Sequence, residues 1–332
     1  MKARRYLLYS ILMIALFGVV ASTCGEKPQG SYFQINRHGE DKQVLGDLPV
    51  FNDSAFMPNY TLLGVGLYGT ATDLILVSSF DYGEYMLELQ RINGTRVWSG
   101  RSNQGNCRVS WDGNYVYNGN TRRFLSDFDR QETLFPDSLI TDMGLSNVSD
   151  DNRYLCYHDN IWSSARKINI MLWDDLQKEH HIIQFTVQNH FGGAFYVSSL
   201  DRIYCLIDYK LWSIKPDGSM TSMVYAFPAS SNPRGAKLLP GEQSFLLLVS
   251  GDVCKFSLSQ NIITRRIGGF SAYCYAPLSN ELYLQVGKTI SRYDMETAEL
   301  SLVYRAGKNI ETLGYGFGCS MDGNYIFSGA KE

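Results

Sequence analysis

The stretch that decides the fold is Ser110-Trp111-Asp112-Gly113-Asn114-Tyr115-Val116-Tyr117-Asn118-Gly119. It returns near the C-terminus as Ser320-Met321-Asp322-Gly323-Asn324-Tyr325-Ile326-Phe327-Ser328-Gly329. Asp and Asn side chains can close a tight turn, and Gly accepts a positive φ there. The aromatic three places after the Asp opens a run suited to a pleated, half-buried strand. Weaker copies place Leu76, Tyr154, Tyr204, Phe245 and Tyr283 three residues after Asp73, Asp151, Asp201, Glu242 and Asn280. From Asp73 through Asp112 to Asp322 the seven turn positions are separated by 39, 39, 50, 41, 38 and 42 residues. A period of roughly 40 with several short strands per repeat is the pattern of a β-propeller.

The rest of the chain agrees with an all-β fold. Hairpins are expected at 85–91 with 95–99, 124–128 with 132–135, 168–173 with 179–185, 211–214 with 219–225, 253–257 with 262–267, and 290–293 with 299–304. The ends are offset: residues 32–46 form a hairpin with no turn strand before it, and residues 313–329 supply two strands and stop. A ring must close or expose unpaired edges. The expected architecture is therefore one propeller of seven four-stranded blades, the last blade closed by the N-terminal strands. No window sustains a helical apolar period.

Residues 1–24 read as an export signal: Lys2, Arg4 and Arg5, then an apolar run over residues 6–21, then small residues and Cys24. The run of 16 residues falls short of the roughly 20 that a spanning helix needs. Val20-Ala21-Ser22-Thr23-Cys24 is similar to a lipobox, which would lipidate Cys24 and hold the protein at a membrane. A retained anchor, or cleavage after Ala21 with Cys24 unmodified, are the alternatives. Residues 25–31 read as a tether, and 32–332 as the propeller. Net charge is −3 with no basic block, so no nucleic-acid partner is expected. Cys107, Cys156, Cys205, Cys254, Cys274 and Cys319 fall among strand residues, where free thiols serve as small buried hydrophobes; a disulfide framework is the alternative.

Together the lipobox-like leader, the Tyr-rich body, Asp81-Tyr-Gly-Glu-Tyr-Met-Leu-Glu-Leu-Gln90 and Gly100-Arg-Ser-Asn-Gln-Gly105 resemble the TolB-like, or six-bladed propeller, lipoproteins of Gram-negative envelopes. The resemblance covers most of the chain and implies a periplasmic or cell-surface address. Its motifs are structural and bring no catalytic residue with them. The family name implies six blades, which is the alternative to the seven counted from the repeats.

The sequence holds no HExxH, Walker or GxSxG motif, and neighbouring His180 and His181 would face opposite sides of a strand. No catalytic set, cofactor or metal is expected. The acid pairs Asp150-Asp151 and Asp174-Asp175 read as solvated turn acids. Connections between second and third strands offer Tyr82, Arg122, Arg123, His158, Asp159 and Trp162 as a candidate binding face. The expected function is a non-catalytic binding or scaffold module for an envelope protein or glycan. The alternative is a lactonase-, lyase- or hydrolase-like propeller enzyme with its site at the central channel.

Overall fold

The computed structural model describes residues 30–40, 42–47, 65–69, 74–81, 84–102, 107–136, 143–149, 151–159, 167–239, 241, 244–308 and 312–331. The leader with Cys24, the turn positions Asp73 and Glu242, and the face residues Tyr82 and Trp162 lie outside these.

Strands β1 (Gly30–Asn36) and β2 (Gln43–Asp47) open the chain. Blade 1 follows with β3 (Val65–Gly69), β4 (Leu74–Asp81), β5 (Glu84–Arg91) and β6 (Arg96–Ser102). Blade 2 holds β7 (Cys107–Val109), β8 (Tyr115–Asn118), β9 (Thr121–Phe124) and β10 (Asp127–Thr133). Blade 3 holds β11 (Met143–Val148), β12 (Tyr154–Asp159), β13 (Lys167–Asp174) and β14 (Glu179–Thr186). Blade 4 holds β15 (Phe191–Val197), β16 (Arg202–Ile207), β17 (Lys210–Ile214) and β18 (Ser222–Ala226). Blade 5 holds β19 (Arg234–Leu238), β20 (Ser244–Val249), β21 (Asp252–Ser257) and β22 (Ile262–Ile267). Blade 6 holds β23 (Ala272–Ala276), β24 (Glu281–Val286), β25 (Thr289–Asp294) and β26 (Leu300–Arg305). Finally β27 (Thr312–Cys319) and β28 (Tyr325–Lys331) join the first two strands in the order β2-β1-β28-β27. The result is seven four-stranded antiparallel blades, as the repeat count requires.

The repeated turn works through a serine. Ser110 Oγ donates to Asp112 Oδ1 at 2.5 Å and accepts the Tyr115 N–H at 2.9 Å. Ser149 does the same with Asp151 and Tyr154, and Ser320 with Asp322 and Tyr325. The residue after each Asp is left-handed: Gly113 at φ 70°, Asn152 at 58° and Gly323 at 73°. Blades 4 and 6 reach the same reversal differently. There the polar residue itself is left-handed, Asp201 at 49° and Asn280 at 54°. A tyrosine five places earlier caps it: Tyr196 donates to Asp201 Oδ1 and Tyr275 to Asn280 Oδ1.

Second strands are buried on both faces because neighbouring blades cover them; Ile203, Tyr204, Cys205, Leu206 and Ile207 of β16 are all inside. Fourth strands show the opposite pattern, with β22 alternating exposed and half-buried residues. The core thus lies between blades, as where Phe195 of blade 4 packs on Phe245 of blade 5. All six cysteines of the described chain are free and buried in it.

Closure rests on β1 and β28, which pair from Gly30↔Lys331 to Asn36↔Tyr325 without a break. The hairpin then reaches blade 6. Arg37 ion-pairs with buried Glu281 at 2.6 Å, and Arg37 N–H donates to Asn324 O. Gly39, at φ 78°, passes so close to β26 that a Cβ there would stand 1.7 Å from Val303 O.

One expected hairpin shifts. In blade 2 the third and fourth strands are 121–124 and 127–133, several residues earlier than the 124–128 and 132–135 expected. The cause is Gly119, left-handed at φ 57°, which reverses the chain right after β8. Arg122 and Arg123 therefore lie in strand β9 and not in a connection.

Candidate functional site

Antiparallel alternation sends the turns between first and second strands to one face of the ring, with those between third and fourth. Connections from second to third strands, and from blade to blade, emerge on the opposite face. Gly30 and Lys331 also end there, so we call it the chain-end face.

Of the six sequence-derived face residues, the structure describes the side chains of Arg122, Arg123 and His158. Tyr82 and Trp162 belong to connections outside the described residues, and Asp159 ends β12 opposite Met143. Arg122 is a pin inside the scaffold. Its guanidinium bonds to Glu132 at 2.6 Å and, across the blade boundary, to Asp175 at 2.7 Å, and lies 4.9 Å from the Tyr115 ring centre. Burial works against its charge, but Glu132 and Asp175 outweigh burial and keep it protonated. Arg123 lies against the Trp98 ring at 4.6 Å and donates to Phe128 O. Asp174 and Asp175 are likewise not solvated turn acids. Asp174 caps its hairpin and pairs with Arg153 at 2.5 Å, and Asp175 takes Arg122 and Lys178.

His158 leads inward. It sits near the chain-end face on β12, beside Gly144 of β11. Its Nδ1 is in close contact with the Ser146 hydroxyl, and its ring lies 4.9 Å from that of Phe191. Burial, helped by the nearby Arg108 charge, pushes its pKa down to about 4. Arg108 comes from the innermost strand of blade 2. It crosses to blade 3, Nε donating to Ser146 O at 3.2 Å while Nη1 donates to Cys107 O.

The innermost strands β3, β7, β11, β15, β19, β23 and β27 ring the central channel of the propeller. Lys237 lies on β19 of blade 5, three blades round the ring from Arg108 on β7. It keeps contact with water although protein surrounds it, as expected of a side chain inside a channel. Among the described residues its ammonium makes no hydrogen bond or ion pair. Enclosure and then Arg108 pull its pKa down, opposed by the thiols of Cys319 and Cys274. Tyr273 of β23 stands beside β19, its hydroxyl 3.2 Å from Gly235 O, and enclosure pushes its pKa up to about 12. Cys274 and Cys319 meet between blades 6 and 7, and burial raises the Cys274 thiol far above its ordinary range.

Burial holds His158, Tyr273 and Cys274 away from neutrality and draws the Lys237 pKa down. A general base works best with a pKa near the ambient pH. His158 is far below neutrality, and Tyr273 and Cys274 are far above it. Among the described residues no three His, Cys, Asp or Glu side chains are grouped to hold a metal ion. Sequence reasoning missed Arg108, Lys237 and Tyr273. For Arg108 and Lys237 the available signal was a charge four and five places before a turn position; nothing comparable marks Tyr273.

No family model matches the sequence, and no curated protein matches it. Solved structures do resemble the fold. An oligogalacturonate lyase in complex with manganese superposes with TM-score 0.54 at 12% identity, over 78% of this chain and 86% of that one. A prolyl endopeptidase gives TM-score 0.52 at 14% identity, over 80% of this chain and 45% of the other. Likeness at such identity is one of architecture. The chain is a β-propeller.

Proposed function

We propose that this chain is an exported propeller of the TolB-like type, held at the envelope membrane through a lipidated Cys24, that binds an envelope protein or glycan without converting it. The leader sequence and the resemblance of the Tyr-rich repeats support the address. The binding role rests on one observation: among the described residues Lys237 has no hydrogen-bonding or ion-pair partner, on an innermost strand of the ring that Arg108 shares from blade 2. This moves the seat of binding from the rim inward, with Tyr82, Asp159 and Trp162 left as candidates for contacts around the mouth.

The test is recovery of a partner from envelope extracts by the full-length protein in mild detergent. The wild type should retain its ligand chemically intact after long incubation, and Lys237→Glu should lose it. Cys24→Ser should move the protein from the membrane to the soluble fraction. A ligand recovered cleaved, or retained fully by Lys237→Glu, sinks the binding reading. Unchanged membrane partition of Cys24→Ser sinks the lipid anchor.

A further inference from the structure

We infer that the channel contains an oxyanion-binding site built on Lys237 and Arg108, which takes a carboxylate or phosphate group of the ligand. This deepens the binding role proposed above and rests on it.

The argument starts from what holds each cation. Arg108 is fixed by two carbonyls, Ser146 O from Nε and Cys107 O from Nη1, which leaves the N–H groups of Nη2 for a ligand. Lys237 is held by nothing among the described residues. Two like charges in one enclosed space repel each other, and an anion between them relieves both at once. Among the described residues the groups that act on Lys237 are Arg108, Cys274 and Cys319, with no carboxylate. The Cys274 thiol stays protonated and supplies no counter-charge. The neighbouring hydroxyls are already engaged: Tyr273 donates to Gly235 O, two residues before Lys237 on β19, and Ser146 Oγ meets His158 Nδ1, so the two cations are the binding groups. A forked guanidinium and a mobile ammonium suit a compact oxyanion, because charge-assisted bonds are the strong ones. Partial enclosure by the surrounding blades weakens solvent screening and raises the worth of each contact.

Full-length protein in detergent micelles, at low ionic strength, is titrated calorimetrically with inorganic phosphate and separately with glucuronate. At least one should bind. Lys237→Met and Lys237→Gln should weaken it by about tenfold or more, the scale of losing one charge-assisted contact. Lys237→Arg should retain it. Because the Lys237 ammonium makes no bond among the described residues, both neutral variants should keep or raise the thermal midpoint, which separates loss of binding from loss of fold. Preference for phosphate marks a phosphorylated ligand, and preference for glucuronate an acidic sugar. Equal binding by wild type and Lys237→Met overturns the site. So does failure of both anions to bind while the envelope partner is still captured, an outcome that leaves the binding role standing.

Discussion

His158 shows how burial fixes the chemistry of a single side chain. Its pKa lies near 4 in the fold against an ordinary 6.5, so between these values the unfolded chain binds more protons than the folded one. Stability must therefore fall as pH drops from about 6.5 to about 4. A shift of this size amounts to roughly 3 kcal/mol, and about 2 after allowing for its partial exposure. Urea unfolding at pH 7 and pH 4.5 should show that loss in the wild type and a much flatter response in His158→Gln; equal slopes would assign the titration elsewhere. At this scale the sequence is legible only in part. Ser110, Ser149 and Ser320 are visible as letters, but their place at the centre of each turn comes from two bonds that no spacing displays. Arg122 reads as a surface donor because its acids, Glu132 and Asp175, are 10 and 53 residues away. Lys237 reads as ordinary because nothing local distinguishes a channel from an outer surface.

Strands and hairpins were more legible, since each is decided by neighbouring residues. Asn93-Gly94 closes the third and fourth strands of blade 1 where expected, and Pro216-Asp217-Gly218 does so in blade 4. The miss in blade 2 came from reading Gly119 as part of a strand end, when its positive φ makes it the turn. The N-terminal hairpin is the element with most to lose. Gly39 is both left-handed and pressed against Val303 O, whereas Gly269, at φ 81°, has open space around it. Gly269→Ala should cost only the conformational strain, about 1 kcal/mol. Gly39→Ala should cost several times that, by prising the hairpin off blade 6. The difference between their unfolding free energies measures that contact, and equal losses would show that it contributes nothing.

The whole ring was legible because its period and its offset ends are properties of the complete sequence. Its ligand was not, for the channel gathers Arg108, Ser146, Lys237 and Tyr273 from four blades whose letters lie far apart. The same architecture also serves a lyase and a peptidase, so the fold alone does not choose between roles. The seam in blade 7 has one more consequence. Gly30 and Lys331 face each other across β1 and β28, so the first and last described residues are already neighbours. A short linker between them would make the backbone a continuous circle, and the place where synthesis begins would become arbitrary. A circular permutant opened at Ser250-Gly251, in the blade 5 connection on the same face, should fold to an equivalent ring with its seam moved two blades back. Its circular dichroism and a cooperative thermal transition would verify this; a molten or aggregated product would mean that blade 7 is the one place where this ring can be closed.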